Sequence, residues 1–596
     1  MILSELFGDA EKNEMKNYDP KPKIQKIKRI IFFIGLLITF SLLPNAGGAA
    51  TYYIDFQNGS DNNSGASQVA PWKTIPGTRN AADTADQSAC WGFGCPTSPT
   101  FGSSRKVPAG TTFKLKSGSI HNNINGGRIN VSSTYYNINA TPSSPILFQR
   151  DIGWGIGSVV FDGIGMTLYD NNKTTTGWGL IHINSTIGGI SFDGVAGVSD
   201  LYDGIIIQNS PKVGLAYYAD DTNMMPGGLL QFIKFFNNGT LHTVNDASFS
   251  GSGQLYFKFH DGVTIDHCAF DGNNKYTNGL HLGQSYTRVV NTLVSNSVAY
   301  NHRGSDDTDV GIGIKAQNSQ VTYKNVASYN NDKGFDSGEE GADLSWDIVY
   351  KLINCQAYSN ATLGAGFSVT SASRTGAANF YAINSIFRDN SGPGIKAYAG
   401  PYNIHIIHSV FDNNDVNLLT HPDGIGDSQS INTRIYNSIF YKPTGGDGNT
   451  STAYWSDAAS RYVRYSDYNS YIQTNSEYFS MWGNYGGGSD VYNFSYGVNG
   501  PGHASGTWYN WKSSHNDANS KGTGANDGTL PPFIDLGNHD YRLTTRYPGT
   551  DLSSMPWYIS EMGLDRNGIK RTSWDIGPYE YLSTSPPSAP RSLRIR

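Results

Sequence analysis

The sequence predicts an all-β chain wound as a single-stranded, right-handed parallel β-helix (a β-solenoid), with an N-terminal cap and an irregular C-terminal excursion. Three observations predict it. A short phrase recurs seven times, beginning at His267 (HCAF), Asn296 (NSVAY), Asn325 (NVASY), Asn354 (NCQAY), Asn384 (NSIF), His408 (HSVF) and Asn437 (NSIF), at steps of 29, 29, 29, 30, 24 and 29 residues. A fixed step of this size marks a solenoid, in which each repeat buries its apolar face only by stacking on its neighbours. The runs flanking each phrase, such as VTYKN, YKLIN and IHIIH, alternate and are rich in β-branched and aromatic residues, which suits strands; helical spacing is absent. Finally, Asn is physically suited to a recurrent corner, because it tolerates left-handed backbone and its amide can bond to the coils above and below.

The elements follow in chain order. Residues 21–29 (KPKIQKIKR) are basic, Ile30 to Leu43 is an apolar run, and Asn45 to Ala50 supplies small residues. That is the pattern of a signal peptide over residues 1–50, cut after Ala50, and the apolar run is too short to span a bilayer. The basic region is long for such a peptide, which is consistent with a start at Met15. Residues 51–150 read as an N-terminal cap with opening strands, 151–442 as the coils, and 443–530 as a Tyr-, Trp- and Gly-rich loop or subdomain. Residues 531–582 read as closing coils, and 583–596 as a Pro-rich tail.

Composition narrows the partners. Of 596 residues 69 are Gly, 15% are charged and 13% are aromatic. Most of the aromatics are expected to stack inside the coils. A net charge of −6, with no basic patch after residue 50, gives no electrostatic case for nucleic acid. An acidic polymer stays open as a partner if a cation mediates the contact. The leader points to a protein that is secreted, extracellular or periplasmic, and a monomer is expected. In that compartment Cys90 and Cys95 are expected to close a local disulfide. Cys268 and Cys355 each follow a corner residue three repeats apart. At roughly 4.8 Å per coil their Cα atoms are about 14 Å apart, beyond disulfide reach, so both are expected as buried small hydrophobes.

After each corner comes a second strand, usually opened by Gly: GLHLG (279–283), GIKAQ (313–317), GFDSG (334–338), GFSVT (366–370) and GIKAY (394–398). Taking the third residue of each gives a column of His281, Lys315, Asp336, Ser368 and Lys396. Side chains alternate along a strand, and so many polar groups cannot all be core, so the column is expected to face outward, where a solenoid binds extended polymers.

Asp309-Val-Gly-Ile-Gly-Ile314, followed 23 residues after Asp309 by Asp332-Lys-Gly-Phe-Asp336, resembles the calcium site of the family nine polysaccharide lyases, which are parallel β-helix pectate lyases. The resemblance implies Ca²⁺ held by Asp309, Asp332 and Asp336, with Asn330 and Asn331 ahead of them. Hard carboxylate oxygens suit that ion. Two positions depart from the pattern. Lys333 stands where the family has a second Asp, and Ser368 stands where Gly364-Ala-Gly-Phe-Ser368 matches the phrase carrying the family's lysine base. A serine hydroxyl is a poor base, which leaves Lys396 and Lys315 as candidates. The implied chemistry is β-elimination on an acidic, uronate-containing polysaccharide. The cation neutralises the uronate carboxylate and a neutral amine takes the C5 proton.

Three other readings stay open: a non-catalytic β-helix that binds glycan at a surface, a uronate epimerase, and a glycoside hydrolase with paired carboxylates. The hydrolase is the weakest, because the phrases Asn-Thr-Asp, Gly-Asp-Asp, Gly-His-Gly and Arg-Ile-Lys of polygalacturonase-type enzymes are not found.

Overall fold

The computed structural model describes residues 50–79, 106–166, 179–219, 224–240, 253–304, 310–338, 345–369, 375–398, 402–421, 431–442, 452–456, 463–473, 479–480, 493–494, 519, 521–523 and 533–581, apart from 134, 137, 138, 186, 285 and 286. Residues 50–596 form one compact unit. The leader, the Cys90–Cys95 pair and the tail lie outside the described residues.

The expected β-helix is present. One coil shows the plan. Ile348–Ile353 lies in a first sheet, Asn354 turns the corner, Gln356–Tyr358 lies in a second sheet, and Leu363–Ser368 lies in a third. The next coil repeats it with Ala378–Ile383, Ile386–Arg388 and Ile395–Tyr398, each paired in parallel with the strand above. Among the described residues the third sheet has 11 strands, and the first two merge into a 24-stranded ladder. Parallel pairing begins at Thr51–Ile54 on Thr112–Ser117, so the N-terminal segment already belongs to the stack. It also continues past 442, through Thr452–Ser456, Val463–Asp467, Ser470–Gln473 and Lys521–Thr523.

Alternation explains the core. In Ile348–Ile353 the side chains of Ile348, Tyr350 and Leu352 point inward and are buried, while Val349 and Lys351 are half-exposed. Like sits on like from rung to rung. Phe387, Phe411 and Phe440 stack at ring distances of 5.1 and 4.7 Å, so much of the aromatic content lies inside the coils, as composition suggested.

All seven corner residues found in the sequence have left-handed backbone, with φ between 48° and 56°. Asn325 Nδ2 donates to Asn296 Oδ1 (3.0 Å) and Asn354 Nδ2 to Asn325 Oδ1 (3.2 Å), which builds an amide ladder up the corner. The next position forms a second, buried ladder: Ser385 N–H donates to Ser409 Oγ and Ser409 N–H to Ser438 Oγ. Cys268 and Cys355 occupy this ladder, buried and without disulfides. A third ladder lies at the turn between the second and third sheets. Asn360 Nδ2 donates to Asn390 Oδ1 (2.9 Å), and Asn390 Nδ2 to Asn414 Oδ1 (2.7 Å). Asn331 belongs to it, its N–H donating to Asn360 Oδ1 at 3.1 Å. Gly opens the third-sheet strand because a Cβ at Gly334 would lie 2.8 Å from Asn360 Nδ2 and 2.4 Å from Gly364 O.

Residues 533–581 were expected as closing coils. Among the described residues they add no strand to the long sheets and lie instead along the side of the stack. Leu552, Met562 and Trp574 pack on Ile353, Ile383, Ile407 and Tyr436, while Tyr541, Tyr547 and Ile576 pack on Ile386, Val410 and Ile439. Here the corner column is capped: Asn384 Nδ2 donates to Leu564 O (2.8 Å) and Asn437 Nδ2 to Thr550 O (2.9 Å).

Candidate functional site

The outer face of the third sheet carries the polar column. Leu280, Ile314, Phe335 and Ala365 point into the core, so the residues that follow them point out. Register places His281 beside Lys315, Lys315 beside Asp336, Asp336 beside Gly366 and Gly366 beside Lys396. Ser368 is not in the column, contrary to expectation. It pairs with Gly338 and Tyr398, two residues further along. The reason is the glycine at the inner turn: Gly364, not Gly366, is the partner of Gly334, so the third residue of this strand is Gly366.

Gly366 is buried, and the side chains of Leu363 and Asp336 close over it. A Cβ there would lie 2.9 Å from Asp336 Oδ1 and 2.8 Å from Leu363 Cδ2. Asp336 and Lys396 are two rungs apart, roughly 10 Å at about 4.8 Å per rung, and the residue between them carries no side chain.

The column is not uniformly exposed, which corrects the expectation of an outward strip. His281 and Lys315 are buried (0% and 2% exposed). His281 Nε2 lies 3.2 Å from Gln317 Oε1, and its ring meets the edge of Tyr256. Asp336 and Lys396 are partly exposed. Of the two candidate bases, Lys315 is buried and Lys396 is partly exposed.

Of the expected metal ligands, Asp309 lies outside the described residues. Asp332 is buried (8% exposed) at the start of its strand; its N–H donates to His302 O, and a Cβ on Gly304 would lie 2.5 Å from its Oδ2. Asp336 is met by a cation of the chain itself: Lys333 Nζ lies 3.5 Å from its Oδ2. Among the described residues no group of three or more His, Cys, Asp or Glu side chains is placed to hold a metal ion. Lys333 thus sets an ammonium beside one of the two described carboxylates of the expected site.

Sequence reasoning missed the inner Asn ladder and so read Asn331 as part of the calcium phrase. The signal was available: Asn331, Asn360, Asn390 and Asn414 recur at steps of 29, 30 and 24, and a Gly follows the first three within three or four residues, at Gly334, Gly364 and Gly394.

No family model matches the chain, and no curated protein matches it. Solved structures do. Pectate lyase Pel9A is 14% identical, over 67% of this chain and 77% of that one, with a TM-score of 0.33. The A-module of mannuronan C-5 epimerase AlgE4 from Azotobacter vinelandii is 14% identical, over 60% and 85%, with a TM-score of 0.38. XylC in complex with xylose is 10% identical, over 89% and 98%, with a TM-score of 0.40. Likeness at this level decides nothing about chemistry. No helix among the described residues is long and apolar enough to cross a membrane.

Proposed function

We propose that the outer face of the third sheet binds an acidic, uronate-containing polysaccharide and cleaves it by β-elimination, with Lys396 taking the proton. The observation that carries this is the register: Lys396 and Asp336 share one column, separated by a residue without a side chain. A polymer lying along the stack would meet the Asp336 carboxylate and the Lys396 amine two rungs apart. Lys396 would remove the proton on C5. The C4–O bond then breaks, the leaving oxygen takes a proton, and an unsaturated uronate remains. Positive charge near the substrate carboxylate stabilises the enolate-like intermediate. Lys315, one rung beyond Asp336 and buried, contributes to that potential and does not touch the sugar.

Among the described residues Asp336 is the sole carboxylate on this column from His281 to Lys396, whereas glycoside hydrolysis uses a pair. An epimerase shares the proton abstraction but returns the proton to C5. Incubating the protein with polygalacturonate and with alginate, and following ultraviolet absorbance and reducing ends together, separates these outcomes. The reading expects both signals to rise in step on one of the polymers. Reducing ends without absorbance, or inversion at C5 without cleavage, would overturn it.

A further inference from the structure

At the position where the resemblance puts a metal ligand, the chain carries an ammonium. We propose that Lys333, held on Asp336, is the charge that receives the substrate carboxylate, in place of a calcium ion. This deepens the acidic-polysaccharide reading and rests on it. Lys333 opens the third-sheet strand Lys333–Gly338, and its Nζ lies 3.5 Å from Asp336 Oδ2, with side chains 29% and 23% exposed. It is thus anchored but in reach of solvent. An ammonium has three donors and can serve two carboxylates at once. Asp336 Oδ1 lies over Gly366, so the pair sits on the outer column two rungs from Lys396. The arrangement does electrostatically what a bound cation does: it sets one fixed positive charge beside a carboxylate anchor. It differs in being covalently tethered, so recognition requires no free metal.

Calorimetric titration of the full chain with sodium polygalacturonate and with sodium alginate, in calcium chloride and in EDTA, tests this. Wild type should bind one of the polymers with the same Kd in both buffers. Lys333→Gln should bind it about tenfold or more weakly in both buffers, as expected for loss of a charge-assisted hydrogen bond, and Lys333→Arg should recover most of the affinity. Lys333→Asp should fail to bind in EDTA and regain binding with calcium. Thermal unfolding of Lys333→Gln should match wild type, because a half-exposed ion pair contributes little to stability. Loss of wild-type binding in EDTA, or Lys333→Gln binding like wild type, would overturn the inference and leave the acidic-polysaccharide reading intact. Failure of both polymers to bind in either buffer would overturn both.

Discussion

The corner column and the outer column of the third sheet are built by the same stacking, yet they read differently. From Asn296 to Asn354 the corner repeats one residue type, and each amide bonds to the next. From His281 to Lys396 the outer column changes residue at every rung. A ladder is stabilising where each rung offers the donor and acceptor its neighbour needs, and repeating one residue type is the simplest way to do so. Repetition therefore marks what holds the stack together. Its loss, on a face where register is kept, marks where something other than stacking has set the residue.

The sharpest way to break that contrast is to put a side chain at Gly366. Gly366→Leu should lower the elimination rate about 100-fold or more by displacing the sugar, because misplacement of this size is enough to lose reactive geometry. The fold should survive, since the added Cβ meets only the ends of the Leu363 and Asp336 side chains. Wild-type turnover in Gly366→Leu would show that the polymer does not lie there.

Next in size is the inner ladder. Asn360→Ala takes away the acceptor of the buried Asn331 N–H and the side-chain donor to Asn390 Oδ1, and should cost about 2–4 kcal/mol in denaturant unfolding. A cost near zero would mean that the ladder is decoration.

The buried histidines give a pH dependence. Burial pushes His121, His260 and His302 down to about 4; burial, then the charges of Arg128 and Arg434, take His182 and His405 to about 3. The unfolded chain takes up these protons near pH 6.5, so between about 6.5 and 4 it binds more protons than the folded chain. Stability is therefore full above pH 6.5 and falls as pH is lowered through this window. The thermal midpoint should drop accordingly. His302, whose backbone N–H donates to Asn331 Oδ1 at the top of the inner ladder, is the test: His302→Asn should flatten the slope by one proton, and an unchanged slope would contradict its assignment.

The smallest effect is expected at Cys355→Ser. Serine fills the same ladder position at Ser297, Ser385, Ser409 and Ser438, so the change should stay within about 1 kcal/mol. A larger loss would mean that the thiol packs in a way its neighbours do not.

What the sequence revealed was whatever recurs. The seven corner residues were legible, as were their left-handed backbone and the buried thiols, because each is enforced at every turn by the same local physics. What it concealed falls into two kinds. The register of Ser368 was lost because two glycines, Gly364 and Gly366, lie in one strand, and only the close approach to the inner ladder chooses between them. The packing of residues 533–581 was lost because contacts such as Arg571 Nη2 to Asn384 Oδ1 span 187 positions and follow no period. The burial of His281 and Lys315 was hidden for the same reason: alternation tells which face a residue is on, not what covers that face.

The most direct measurement is the rate at which Lys396→Ala forms unsaturated uronate from a polymer that wild type cleaves, with affinity for the uncleaved polymer measured alongside. The account predicts a loss of about 100-fold or more in rate, as for removal of a general base, with binding retained. Wild-type turnover in Lys396→Ala, with the activity abolished instead by Lys315→Ala, would contradict it.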